Sequence, residues 1–426
     1  MPITLGRHQL MELPGGARLV TAPMAERASA SLVLMFGVGS RYEDDRHGGA
    51  FHFLEHLLFK GTRKRPTAQD IAEAIEGVGG VMNASTDKEV TAYWTRVPAD
   101  RLELAIDVLG DVVSDSQLAP GDIDRERMVI LEELKMYQDQ PQDYVHSLFE
   151  QIMWPGHPLG RDIGGTAESV AGLSRDDLVA CVSEHYRLDN VVVSVAGGID
   201  SDQARSLVEE RVVLGDGATS GDWNPLEGLP GDPTVLLHRK DTEQAHICLG
   251  VRAFSYRDPD RYALDLINTL LGEGMSSRLF LEIRERRGLA YDVHSYTSKH
   301  RDTGYLAVYL GVDPKKAEGA VEAVVAELRR LATEEVGGTE LIKAKEFTKG
   351  RIRLGLESTN AMASWLGQQL LLMGRIRTLA EVIENVDSVT AADVQRVARR
   401  VLAGPIQLSV IGPFAGDSGF RSAIGA

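Results

Sequence analysis

Five consecutive residues, His52-Phe53-Leu54-Glu55-His56, put two imidazoles and a carboxylate on one short segment that reads as helix. Residues four apart on an α-helix lie about 40° apart around its axis, so His52 and His56 face the same way, with Glu55 beside them. Two neutral nitrogen ligands and a nearby base are the minimum equipment of a metal-activated hydrolase. The order is the reverse of the commoner H-E-x-x-H. Such a pattern arises by chance in roughly one chain in fifty of this length, so it needs a third ligand and a place for substrate.

A third ligand should come from another helix. Residues 122–139, DIDRERMVILEELKMYQD, have helical periodicity through Met128, Leu131 and Leu134. Glu126 and Glu133 are two turns apart and share one face, whereas Glu132 points about 100° away. A carboxylate at Glu133 could close a His₂Glu set and leave a fourth position open. Glu126 could orient a ligand histidine from behind. By itself the stretch reads at least as well as a solvated acidic face.

The elements that must position these groups are written twice. Residues 174–198, SRDDLVACVSEHYRLDNVVVSVAGG, are echoed by residues 390–412, TAADVQRVARRVLAGPIQLSVIG. Each copy opens on a helix N-cap, Ser174 or Thr390, with Asp177 or Asp393 three positions on, and runs into an apolar strand ending in glycine. Ser194 and Ser409 are 215 residues apart, as are Gly197 and Gly412; Val97 and Val312 repeat the offset upstream. The expectation is an internal duplication: a first domain over 1–214, an aperiodic Gly/Asp/Pro-rich linker over 215–232, and a second domain over 233–426. Strand patterns such as SASLVLMFGVGS, EVTAYWTRV and TGYLAVYLGV, interleaved with helices, predict an α+β fold, each domain a largely antiparallel sheet packed with helices.

The duplication also acts as a control on the metal motif. Aligning FLEHLLFKG with LINTLLGEG sets Asp265, Asn268 and Thr269 against His52, Glu55 and His56. The second copy keeps the leucines and lacks the metal-binding residues, so the fold itself does not require the histidines.

HFLEHLLFKGT, followed by ERMVILEEL, resembles the pitrilysin-type metallopeptidases, the inverzincin class with H-x-x-E-H. Glu133 follows His56 by 77 residues, the family's spacing for its ligand glutamate. The likeness covers nearly the whole chain, taking in GGVMNASTDKEVTAYWTRV, HPLGRDIGGTAESV and GEGMSSRLFLEIRERRGLAYDV. It is nearest to the short two-domain bacterial branch similar to the mitochondrial processing peptidases. The resemblance implies that His52, His56 and Glu133 bind Zn2+ and that Glu55 is the general base activating water. It further implies that Asn83 and Ala84 lie on a sheet edge to which substrate adds as a strand. Arg284 and Tyr291 match an Arg/Tyr pair that acts on the scissile carbonyl from the second domain. One departure is Glu273, where the family often has glycine; it could favour basic substrates or do nothing.

Composition bounds the setting. A formal net charge of −16 disfavours nucleic acid and anionic membrane as partners, and could favour basic peptides. No apolar run is long enough to span a bilayer, and the first residues lack a secretory pattern, so a cytoplasmic location is expected. Cys181 and Cys248 are too few for a disulfide framework and read as buried thiols. The chain is expected to be a zinc endopeptidase acting on unfolded peptides inside an enclosed chamber. Carrying both the metal set and the Arg/Tyr pair suits a homodimer, with a heterodimer of related subunits as the other arrangement. The competing reading is a non-catalytic scaffold subunit of the same fold.

Overall fold

The computed structural model describes residues 8–219, 223–228 and 231–426. Residues 1–7, part of the opening stretch 1–16 on which the expectation about a leader rests, and linker residues Ser220, Gly221, Asp222, Leu229 and Pro230 lie outside the described residues.

Two compact units are present. The first comprises residues 1–134, 162–224 and 353–377; the second comprises 135–161, 225–352 and 378–426. The first unit contains strands β1 (Gln9–Glu12), β2 (Arg18–Pro23), β3 (Ser29–Phe36), β4 (Val81–Thr86), β5 (Thr91–Pro98) and β6 (Val191–Gly197), in sheet order β1-β2-β6-β3-β5-β4. The second contains β7 (Thr234–Arg239), β8 (Ala245–Ala253), β9 (Ala290–Lys299), β10 (Gly304–Val312) and β11 (Gln407–Gly412), in order β7-β11-β8-β10-β9. Each sheet has one parallel pair, β2 with β6 and β7 with β11, and is otherwise antiparallel. This is the α+β architecture read from the sequence.

The strand registers carry the duplication. Ala30 pairs with Val97 and Ala245 with Val312, so both partners shift by the same 215 residues. Val33 pairs with Ser194 and Cys248 with Ser409, again 215 apart. The predicted caps are present: Ser174 accepts from the backbone N–H of Asp177, Thr390 from that of Asp393, and both aspartates close capping boxes.

One face of each sheet packs against helices of its own repeat. In the first unit Leu32, Leu34, Phe36, Val193 and Val195 meet Ile106, Leu109 and Val112 of the helix Leu102–Asp115. The opposite face is covered by a helix from the other half of the chain, an exchange that chain order alone does not reveal. In the first unit that helix is Thr359–Met373, whose Thr359 Oγ1 hydrogen-bonds the buried Ser31 Oγ at 2.8 Å. In the second it is Pro141–Met153, where Ser409 Oγ donates to the Val145 carbonyl at 2.8 Å and Tyr305 donates to Glu150 at 3.1 Å. A fragment ending at residue 214 therefore lacks a cover for its sheet. Expressed alone, 1–214 should show no cooperative thermal unfolding, and a sharp two-state melt from it would overturn this account.

His146 on the Pro141–Met153 helix hydrogen-bonds the Tyr296 hydroxyl. Burial, reinforced by the neighbouring His294, pushes its imidazole down from 6.5 to about 4. The unfolded chain takes up this proton as pH falls through 6.5 while the folded protein refuses it, so folding stability should decline from about pH 6.5 to 4. Melting temperatures across that window should show a slope that His146→Gln flattens.

Both cysteines are free, with Cys248 buried and Cys181 half-buried. Among the described residues no helix is long and apolar enough to cross a membrane.

Candidate metal centre

The helix Ala50–Leu58 is sharply two-faced. Ala50, Phe51, Phe53, Leu54, Leu57 and Leu58 are buried, leaving His52, Glu55 and His56 as a half-buried stripe. The apolar side rests on an aromatic floor in which Phe36 stacks on Tyr186 at 4.2 Å and the Tyr93 and Tyr186 hydroxyls meet at 2.9 Å. The helix thus presents only the stripe that carries chemistry.

Its first turn is held from outside. Gly49 occupies the N-cap at φ 90° and has no side chain to cap with, so the Glu43 carboxylate accepts from the backbone N–H of Gly49 at 2.8 Å and of Phe51 at 2.9 Å. An anion at a helix N-terminus also meets the positive end of its dipole. A Cβ on Gly49 would fall 2.5 Å from the Gly164 carbonyl oxygen, and one on Gly165, at φ 77°, would fall 2.3 Å from the Gly48 oxygen. The two glycine pairs interlock backbone to backbone and seat the 162–165 loop over the helix start, with Ser169 Oγ donating to the Gly48 carbonyl at 2.7 Å.

Glu126 and Glu133 come from the helix Pro120–Asp139. Its buried positions are Ile123, Glu126 and Ile130; Leu131 and Leu134 pack at the core margin. Met128, read from the periodicity as part of the apolar stripe, is 60% exposed. The buried face runs through a glutamate instead, because that glutamate has partners to meet.

Among the described residues, His52, His56 and Glu133 form the one group of three such donors, with ligand atoms within 4.8 Å of one another. His56 Nε2 lies 3.6 Å from Glu133 Oε2, and His52 Nε2 lies 3.9 Å from the same oxygen. A tetrahedral zinc about 2.0–2.1 Å from each donor would set them about 3.3 Å apart, so the trio fits zinc with a small inward closure. Burial, then the adjacent His56, holds the His52 imidazole below its ordinary value, which favours the neutral form that ligation needs. His56 Nδ1 faces Glu126 Oε2 at 3.2 Å, fixing Nε2 as the nitrogen free to coordinate. Glu55 makes no hydrogen bond to another described residue, so its oxygens are open to a water.

The other predicted residues fall as follows. Asn83 and Ala84 sit on β4, the outermost strand of the first sheet. That strand adjoins the motif helix, where Thr86 Oγ1 donates to the Phe51 carbonyl at 3.4 Å. Arg284 lies in the second unit on a seven-residue π-helix, Phe280–Arg286, which the sequence did not announce. Its guanidinium stacks over the rings of Phe280 at 4.9 Å and Tyr291 at 4.7 Å, so the Arg/Tyr pair is in direct contact. Glu273 accepts from Asn268 Nδ2 at 2.6 Å and from Thr269 Oγ1 at 3.2 Å. Its carboxylate is thus engaged within its own unit, and Asp265 is paired with Lys299. Glu43 and the glycine interlock were not found from sequence, since nothing in their local spacing marks a cap supplied from six residues upstream.

Known proteins resemble this chain over most of its length. A family model described as Insulinase (Peptidase family M16) matches residues 18–167, and one described as Peptidase M16 inactive domain matches residues 172–347. A Streptomyces coelicolor protein named an uncharacterized zinc protease is 41% identical over 420 residues, spanning 96% of this chain and 90% of the relative. The chain belongs to peptidase family M16. A second M16 relative, from Bacillus subtilis and also named an uncharacterized zinc protease, is 37% identical over 398 residues, with 93% and 96% of the two chains covered. The M16 fold is shared with a crystal structure described as a protease from Helicobacter pylori, at TM-score 0.91 and 24% identity, over 96% of this chain and 100% of that one. A chain of complex III2 from Candida albicans matches at TM-score 0.84 and 19% identity, over 98% and 99%.

The interlock yields a direct expectation. Gly49→Ala should cost about 2–4 kcal/mol in denaturant unfolding, combining the left-handed backbone penalty with a backbone clash. A loss below about 0.5 kcal/mol would mean that the 162–165 loop yields freely.

Proposed function

We propose that this M16 chain is a zinc-dependent endopeptidase that hydrolyses unfolded peptides. The observation that carries the proposal is the convergence of His52 Nε2, His56 Nε2 and a Glu133 oxygen beside the open carboxylate of Glu55. The relatives named zinc proteases support it.

Zinc, when bound, supplies Lewis-acid polarisation of a water and of the scissile carbonyl. His52, His56 and Glu133 would hold it. Glu55 takes the proton from the attacking water and passes it to the leaving amine. Backbone groups on the outer edge of β4, around Asn83 and Ala84, would receive the substrate as an added strand, so recognition acts on extended main chain. We assign the Arg284 guanidinium and Tyr291 phenol to the substrate carbonyl as charge develops on its oxygen. A homodimer enclosing its substrate in a chamber would admit flexible peptides and refuse folded ones.

Metal analysis should find about one zinc per chain, and a quenched fluorescent peptide should be cleaved in a chelator-sensitive way. Glu55→Gln should keep the zinc and lose at least about 100-fold in kcat. Glu133→Gln should weaken zinc binding itself, while Asp265→Ala and Asn268→Ala leave zinc content unchanged. An active Glu55→Gln enzyme would remove Glu55 as the base. Zinc without turnover of a broad peptide library would favour the scaffold reading.

A further inference from the structure

Lys60 stands just past the motif helix, two residues beyond Leu58, with its backbone N–H donating to the Leu57 carbonyl at 3.0 Å. Its ammonium lies 2.6 Å from Glu126 Oε1, while the other oxygen of the same carboxylate meets His56 Nδ1 at 3.2 Å. The Glu126 side chain is only 11% exposed. A carboxylate taken this far out of water needs both oxygens engaged. Here the two partners differ in kind: one is a candidate ligand and the other a cation with no part in ligation.

We propose that Lys60 is a positioning residue for the metal centre, acting through Glu126 to fix the orientation of His56. The inference rests on the metal-centre reading given above and deepens it. Among the described residues, the contact with Glu126 is the one ion pair that a lysine or arginine makes with Glu55, Glu126 or Glu133. Lys60 anchors Glu126 Oε1, and that leaves Oε2 aimed at Nδ1. The imidazole then has its Nδ1 proton held by a carboxylate and its Nε2 turned towards Glu133.

The sister unit supports the assignment independently. The alignment that opposes Thr269 to His56 opposes Glu273 to Lys60, so the charge at this position is reversed where the histidine is gone. Setting Ile123 against Leu341, each buried near the start of its helix, places Ala344 at Glu126. Histidine, glutamate and lysine are thus all absent together from a unit that keeps the same strand order. A lysine needed only to tie two helices of this fold would have no reason to leave with the metal residues.

The test measures zinc affinity by competition with a chelator on the full-length protein, alongside thermal unfolding of the zinc-free form. Lys60→Met should weaken zinc binding about 10–100-fold, the usual cost of losing support behind a ligand. Lys60→Arg, which keeps a cation within reach, should restore most of it. Glu126→Gln should lose a similar factor, and adding Lys60→Met to it should change little, because the lysine acts through the carboxylate. If Lys60→Met lowers zinc-free stability while zinc affinity holds, Lys60 is a structural tie and the proposal fails. It fails equally if the two losses multiply in the double variant. A wild-type chain that holds no zinc overturns the metal-centre reading itself, which keeps the two failures distinct.

Discussion

To hold a metal, two imidazoles and a carboxylate from separate helices would have to converge to within a few tenths of an ångström, and a nine-residue helix with no cap of its own cannot supply that precision alone. Everything at this centre depends on how the first turn of Ala50–Leu58 is held. Glu43 binds its exposed amides, and the backbone of Gly48 and Gly49 locks against that of Gly164 and Gly165. Backbone contacts of this kind cannot slide as side-chain contacts can, because each side lacks a Cβ where the other needs room. The helix is therefore fixed in phase as well as in place, so its His52–Glu55–His56 stripe can face only one way.

Duplication separates what the scaffold requires from what the chemistry requires. Both sheets use the same strand order apart from the additional β1, and three corresponding strands, β3 with β8, β5 with β10 and β6 with β11, keep a 215-residue offset in register. In the second unit the metal positions are filled by Asn268 and Thr269, which bind Glu273, and by Asp265, which is paired with Lys299. These are local polar networks that satisfy themselves. The first unit leaves its equivalent groups turned towards one another across a gap of ligand dimensions.

Much of the scaffold and of the candidate site's arrangement could be read from the residues. The strands β3, β5 and β10, the caps at Ser174 and Thr390 and the duplication all follow from period, capping chemistry and constant offset, which are local or repetitive signals. His52, Glu55 and His56 could be read because helical spacing alone determines their common face. Glu133 needed a family spacing to be chosen over a solvated acidic face. Glu43, Lys60 and the 162–165 loop are set by contacts between distant segments, which leave no mark on local pattern. Met128 was misread for a related reason: the helix turns Glu126 inward in its place, and only the partners His56 and Lys60 make that burial tolerable.

The exchanged helices constrain the order in which this chain can acquire its structure. The first unit draws on residues 353–377, so its sheet stays bare on one face until most of the polypeptide has left the ribosome. Synthesis runs from the N-terminus, yet the part bearing the metal residues is the one that must wait. During that interval the apolar face of β2, β3 and β6 is exposed to whatever else is present in the cell, a hazard that nascent chains commonly meet by recruiting chaperones. The candidate metal centre is thus near the start of the message and can be finished only near its end.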